Sequence, residues 1–148
     1  MAATLWDDTD CRAILSRLER LTPDAAPRWG RMNASRMVVH VTDALRMATG
    51  ELRCTASRGP LMLPIVKQVV MFYLPWPRGI PTSPELLSRR PDQWTNEMAG
   101  LRAAIEEFVS KSRIDTWPSH PRFGHLSGLE WGRFMYRHLN HHLTQFGV

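Results

Sequence analysis

Cysteine is scarce in this chain. Its 148 residues contain two, Cys11 and Cys54. They lie far apart and make no Cys-x-x-Cys pair, which argues against a disulfide framework and against a thiolate zinc site. They read as small buried hydrophobes. Any metal site must then draw on nitrogen and oxygen ligands. Lysine is equally scarce: Lys67 and Lys111 are the only two, so the other cations are arginines. The arginines are dispersed, with no block of about five or six like charges and no basic run interleaved with aromatics. The formal net charge of +5 therefore reads as a solvated basic surface, and no nucleic-acid partner is expected. No segment approaches the roughly 18–20 uncharged apolar residues needed to span a bilayer. The stretch from Met1 to Asp10 carries acidic residues where a signal peptide would carry basic ones, and no apolar core follows. The expectation is a soluble, cytoplasmic protein without a membrane partner. A glycine-rich phosphate loop is missing, and no Ser-His-Asp or Cys-His arrangement can be assembled. There is no repeat and no low-complexity tract.

What is present is apolar residue at helical spacing. The length suits one domain, residues 1–148, and 43% of residues are hydrophobic, with six tryptophans. A first helix is expected from a cap at Asp8 or Asp10, with Cys11, Ile14, Leu15, Leu18 and Leu21 on one face. Thr22-Pro23 stops it. A second helix follows Asn33, a good N-cap. Met37, His40, Val41, Ala44, Leu45 and Ala48 form its stripe, and Gly50 closes it. A third is expected over Pro91 to Ser110, on Trp94, Met98, Leu101, Ile105, Phe108 and Val109. The fourth has the sharpest start: Ser127 and Glu130 stand three apart as a capping box. Its face is Trp131, Phe134, Met135, His138, His142 and Phe146. Four amphipathic helices point to an all-α bundle. The segment Leu61–Tyr73 reads as a short helix or lid, although Ile65, Val66, Val69 and Val70 could also pair as strand. The proline-rich run Pro75–Pro81 must be irregular.

The run His138-Leu139-Asn140-His141-His142 carries the chemistry. Residues four apart share a helix face, so His138 and His142 both sit on the apolar stripe. His40 faces inward from the second helix. A buried imidazole needs partners for two nitrogens, so several on inward faces point beyond ordinary core packing. Three neutral imidazoles can hold one divalent ion and leave a coordination position open, as catalytic sites do. His141 is expected to point at a neighbouring helix or the surface. Asp43 and Gln145 each stand one turn beyond a candidate ligand. Asp43 could accept a hydrogen bond from a ligand's second N–H or bond a metal-bound water, and Gln145 could orient the group beside it. Asp43 is the nearest candidate proton acceptor for chemistry. His120 is expected to fix its loop or line a cavity mouth, and His125 to be exposed. The cavity walls are expected from Leu61–Tyr73 and from Trp76 or Trp131.

These residues carry a resemblance. His40 in Met37-Val38-Val39-His40-Val41-Thr42-Asp43, with His138-x-x-His141-His142-x-x-Gln145 in the last helix, resembles the metal-binding signature of the DinB/YfiT-like superfamily. His120-Pro121-Arg122-Phe123-Gly124, Leu126-Ser127, Glu130-Trp131-Gly132 and the final Gln145-Phe146-Gly147 resemble one bacterial branch of it, as do Trp29-Gly30 and Pro81-Thr82. The likeness runs from about Leu18 to the end and is weakest over 51–80. It implies a four-helix bundle of up-down-down-up connectivity, with a long crossover between the second and third long helices that carries a short extra helix. It implies one divalent metal, zinc or nickel, on His40, His138 and His142, and a homodimer. It also implies a thiol-dependent transferase or isomerase acting on a small molecule, with a low-molecular-weight thiol as co-substrate. Two other readings stand beside it. One is a metal-dependent hydrolase. The other is a non-catalytic, metal-stabilised dimer or ligand-binding module, in which a fourth side chain such as Asp43 or His141 would close the metal sphere.

Overall fold

The chain was analysed as a computed structural model that describes residues 2–79 and 81–148. The described residues are helical and contain no β-strand. The α-helices are α1 (Asp8–Glu19), α2 (Ala34–Ala48), α3 (Pro64–Gln68), α4 (Glu85–Ser88), α5 (Trp94–Ser110) and α6 (Gly128–Gln145). A 3-10 turn, Pro60–Met62, precedes α3, and a π turn, Val69–Tyr73, continues it. The β-branched residues of that segment are thus helical, because its proline starts and local bonds outweigh a propensity that no partner strand rewards.

The helix ends follow local chemistry. Asp7, not Asp8 or Asp10, caps α1: its extended backbone lets the carboxylate accept from the Thr9 and Asp10 amides. Asp10 turns back instead to accept from the Thr4 amide at 2.9 Å. Asn33 caps α2 through the Arg36 amide. The helix α5 starts at Trp94, three residues after Pro91. Gln93 is extended there, and the Asp92 amide donates to the Glu97 carboxylate at 2.9 Å. The capping box of Ser127 and Glu130 opens α6, with both reciprocal bonds made.

Helix α2 is the centre of the molecule. It packs against α4, α5 and α6, while α1 packs against α6. Twelve of its fifteen residues are buried, so its surroundings rather than its amphipathicity hold it. Side chains of α5 and α6, among them Leu101, Ile105, Phe108, Trp131 and Met135, complete the core. Gly132 on α6 makes room for Trp6: a Cβ there would lie 2.2 Å from the indole Nε1. That indole donates to the Gly128 carbonyl at 2.9 Å and stacks on Phe108 at 4.7 Å between centroids. The close approach ties the N-terminal segment to the helix that carries two of the candidate ligands.

The C-terminal half of the segment Pro60–Tyr73 is bonded to α6 and to the loop just before it. Lys67 Nζ donates to the His125 carbonyl at 2.6 Å, and Gln68 donates to Glu130. Arg137 donates to the Met71 carbonyl and to the Leu74 carbonyl at 2.8 Å. Arg133 lies over the Phe72 ring. Such bonding makes the segment a wall rather than a free lid. Its outer face leaves Leu63, Ile65 and Tyr73 exposed.

Candidate metal centre

His40 projects from the middle of α2, and His138 and His142 project from successive turns of α6. Their ring centroids form a nearly equilateral triangle: 5.0 Å from His40 to His138, 4.8 Å from His40 to His142 and 4.9 Å from His138 to His142. One nitrogen of each can be chosen so that all three lie within 4.8 Å of one another. The Nε2 atoms of His40 and His138 are 3.1 Å apart. Nitrogens bound at about 2.0–2.1 Å to one tetrahedral ion stand roughly 3.3 Å from each other. The spacing therefore suits three imidazoles about one divalent ion.

The outer nitrogens decide which atoms face inward. His40 Nδ1 meets the Leu86 carbonyl at 3.3 Å. A carbonyl only accepts, so Nδ1 carries the proton and Nε2 keeps its lone pair. His142 is set by a longer chain of the same logic. The Gln145 Nε2 donates to the Trp29 carbonyl at 2.9 Å, which fixes the orientation of the amide. Its Oε1 then accepts from His142 Nδ1 at 2.8 Å, leaving His142 Nε2 as the lone-pair atom. Gly30 permits this approach: its φ is +80°, and a Cβ there would lie 3.1 Å from Gln145 Nε2. His138 Nδ1 is buried without a partner.

All three rings are held neutral, as ligands must be. Burial lowers the His40 pKa, partly offset by its bond to Leu86 and by the Asp43 charge. Burial and the neighbouring imidazoles hold His138 well below the usual histidine range. Burial and His40 bring His142 down to about 3, against the opposing bond to Gln145.

Asp43 does not take the place expected of it. It is 3% exposed, but its carboxylate accepts from Arg89 Nε at 3.2 Å to each oxygen and from Arg46 at 3.3 Å. Arg89 also binds Glu97 at 2.8 Å. Asp43 therefore anchors α2 to the segment before α5, and the Leu86 carbonyl takes the role at His40 that was expected of a carboxylate. Gln145, in contrast, stands where its spacing placed it.

The three histidines open onto a cavity of about 480 Å³. Its walls include Trp29, Met32, Met47, Leu61, Val70, Leu74, Trp76, Phe123 and Phe134. Trp76 is a wall as expected. Trp131 is not; it is fully buried behind Phe134 and His120, with ring centroids 6.1 and 5.6 Å away. His141 lines the cavity too, edge-on to Trp29 at 5.5 Å and tilted on Trp76 at 5.8 Å. Burial and the charges of Arg137 and Arg78 lower its pKa. His120 both fixes its loop and lines the cavity. His125 is exposed.

Sequence reasoning missed the Leu86 and Trp29 carbonyls and the arginine at position 89. Trp29-Gly30 was the one available signal, since a glycine after an aromatic residue can mark a close backbone approach. Among the described residues, no helix is long and apolar enough to cross a membrane. No family model, no curated protein and no solved structure matches the chain.

Proposed function

We propose that the chain is a DinB-like four-helix bundle of up-down-down-up connectivity, a homodimer, and a metal-dependent enzyme acting on a small molecule with a low-molecular-weight thiol. His40, His138 and His142 would hold one divalent ion, zinc or nickel. The observation that carries this reading is the pair of outward bonds to acceptors. His40 to Leu86 and His142 to Gln145 both leave the Nε2 lone pair free, as the second bonds of metal-bound histidines do, and the three rings bring a nitrogen each within 4.8 Å of the others. His138 Nδ1 makes no such outward bond, so among the described residues its ring is oriented by packing and not by an acceptor.

A bound ion would supply Lewis acidity, lowering the pKa of a thiol or water near neutral pH. The protein's own groups do the rest. Gln145 is a positioning residue that holds His142. Leu86 holds His40. The apolar walls exclude water from the ligand. Asp43 has its carboxylate on two arginines and does not line the cavity, so we assign it no proton transfer. The same geometry bears on the alternatives. A closed structural site needs a fourth protein ligand. Asp43 is engaged elsewhere, and His141 lies outside the ligating group. Hydrolysis calls for a proton acceptor beside the attacking water; among the described residues no Asp or Glu lines the cavity, and His141 is the remaining candidate. An open three-histidine set in an apolar chamber favours a thiol that arrives as the nucleophile.

Elemental analysis of protein purified without a histidine tag tests the centre, and a thiol-dependent conjugation screen tests the activity. One zinc or nickel per chain, lost in His138→Ala, is expected. Stoichiometric metal retained in that variant would overturn the site. Inactivity with every thiol tried would favour the non-catalytic module. Gel filtration with light scattering tests the dimer.

A further inference from the structure

His120 is placed with more care than a loop residue needs. Its backbone is pinned by two bonds to Gly124, the amide of each donating to the carbonyl of the other at 2.8 and 2.9 Å. Its Nδ1 accepts from the backbone amides of Arg122 at 3.0 Å and Phe123 at 3.2 Å. An imidazole nitrogen that accepts two N–H bonds carries no proton, so in the neutral ring Nε2 must carry it. The ring stays neutral, because burial and the Arg122 charge bring its pKa to about 3. Among the described residues, nothing accepts from Nε2, and the ring forms part of the cavity wall. Phe134 bridges it to the metal centre, with centroids 5.0 Å from His120 and 6.1 Å from His138. His120 thus lines the chamber, and among the described residues its Nε2–H has no partner of its own.

The charge at the cavity has one sign. Arg31 and Arg122 line the cavity, and Arg78 lies over the Trp29 ring of its wall at 4.5 Å. None of the three enters an ion pair among the described residues. The cavity offers no carboxylate to balance them. At about 480 Å³ it has the size of a small-molecule site, apolar with a few convergent polar groups.

We propose that this chamber binds a hydrophobic carboxylate, an apolar body against the aromatic walls with its carboxylate accepting from His120 Nε2–H under the arginine charges. The proposal rests on reading the cavity as the substrate chamber of the site above, but it does not require that the centre hold a metal. A neutral imidazole donor suits an anionic oxygen. It gives a hydrogen bond of the stronger, charge-assisted kind and never competes as a second charge to be desolvated.

The test is a binding titration with naphthaleneacetate and its uncharged amide, on chelator-treated and on zinc-loaded protein. We expect the carboxylate to bind at least about tenfold more tightly than the amide, since a hydrogen bond to a charged group contributes about 1.5–3 kcal/mol. His120→Asn keeps a side-chain acceptor for the Arg122 and Phe123 amides but loses the Nε2–H donor. It should cost the carboxylate about tenfold or more and the amide, whose neutral carbonyl accepts a weaker bond, clearly less. Nitrogen-15 shifts of His120 in the unaltered protein should report the Nε2–H tautomer and move on adding the carboxylate. Equal affinity for acid and amide, or the opposite tautomer, would overturn the proposal. Carboxylate selectivity in protein that takes up no metal would refute the metal centre alone. Metal uptake without that selectivity would refute this inference alone.

Discussion

The Nε2 atoms of His40 and His138 lie 3.1 Å apart, although the His40 tautomer leaves its nitrogen without a proton. Two like lone pairs at that distance repel unless something sits between them or one ring supplies a proton. Without a cation, His138 must be the Nε2–H tautomer and donate to His40. Its Nδ1 would then be a buried acceptor with no donor. Either way His138 Nδ1 stays without a partner, but only an ion can engage the inward nitrogens of all three rings at once. Zinc should therefore stabilise the fold measurably. At 100 times its dissociation constant a ligand adds about 2.7 kcal/mol. For a chain of this length that raises Tm by roughly 5–10 °C. Calorimetry with and without zinc should show the rise, and His138→Ala should abolish it.

Gln145 offers a finer probe of the same centre. Replacing it with leucine removes the acceptor of His142 Nδ1 and leaves the Trp29 carbonyl without its donor. Loss of such an outer partner typically costs 10–100-fold in metal affinity. Competition against a chromogenic chelator should register that drop, while Gln145→Glu, which restores an acceptor for His142, should recover part of it. Unchanged affinity in the leucine variant would detach Gln145 from the site.

How far the letters carried the argument depended on which atoms do the work. His138 and His142 were legible because four-residue spacing alone puts two side chains on one face. His40 was legible because it interrupts an apolar stripe that must point inward. The capping box at Ser127 and Glu130 needs only local backbone. The partners of His40 and His142 include the carbonyls of Leu86 and Trp29, and a carbonyl has no letter of its own. Asp43 misled for a related reason. A three-residue offset places it near His40, but its choice between imidazole and guanidinium is made by Arg89, 46 residues away. The start of α5 shifted from Pro91 to Trp94 because Glu97 reaches back to cap Asp92, a contact that periodicity does not register. The connectivity of the bundle and its homodimer are expectations from resemblance, with no counterpart in periodicity.

The Asp43–Arg89–Glu97 group predicts a separation of stability from metal binding. Both carboxylates are almost fully buried, while about a third of Arg89 is exposed. Removing the arginine strands two buried negative charges, partly relieved for Asp43 by Arg46. Breaking a buried pair costs about 3–5 kcal/mol, and the exposure of Arg89 argues for the lower end, about 3 kcal/mol. Arg89→Ala should shift the urea midpoint accordingly. Zinc affinity of the folded fraction should stay within a factor of a few, because no member of the group is a ligand. A large loss of affinity at unchanged stability would return Asp43 to the site.

Gly132 predicts a steric effect far from the chemistry. Alanine would place a methyl group inside the van der Waals envelope of the Trp6 indole, which is held by Gly128 and stacked on Phe108. Neither the helix nor the ring is free to yield, so overpacking of about 1–3 kcal/mol is expected. Helix propensity, which favours alanine over glycine by about 1 kcal/mol, opposes it. A paired Trp6→Phe change should recover much of the loss, since it removes the atoms in the way. If Trp6→Phe gives Gly132→Ala no more relative benefit than it gives the original chain, the N-terminal segment is not docked as described.

Acid should weaken the metal-free protein through histidines that are buried neutral. His120, the clearest case outside the triad, has its folded pKa brought from an ordinary 6.5 to about 3. Between those values the unfolded chain binds more protons than the folded one, so stability rises with pH. The contribution is fully present above about pH 6.5 and is lost progressively as pH falls towards 3. At pH 5 the lost share is about 2 kcal/mol for this one group, at about 1.4 kcal/mol per pH unit below 6.5. His40, His138 and His142 are shifted the same way, so the whole decline is steeper than one histidine gives. His120→Asn retains an acceptor for the two loop amides and removes one titrating group. Urea unfolding at pH 7.5 and pH 5 in the presence of a chelator should show a smaller pH difference in that variant than in the original chain. An identical difference would mean that the His120 ring is protonated in the folded protein, or already open to water.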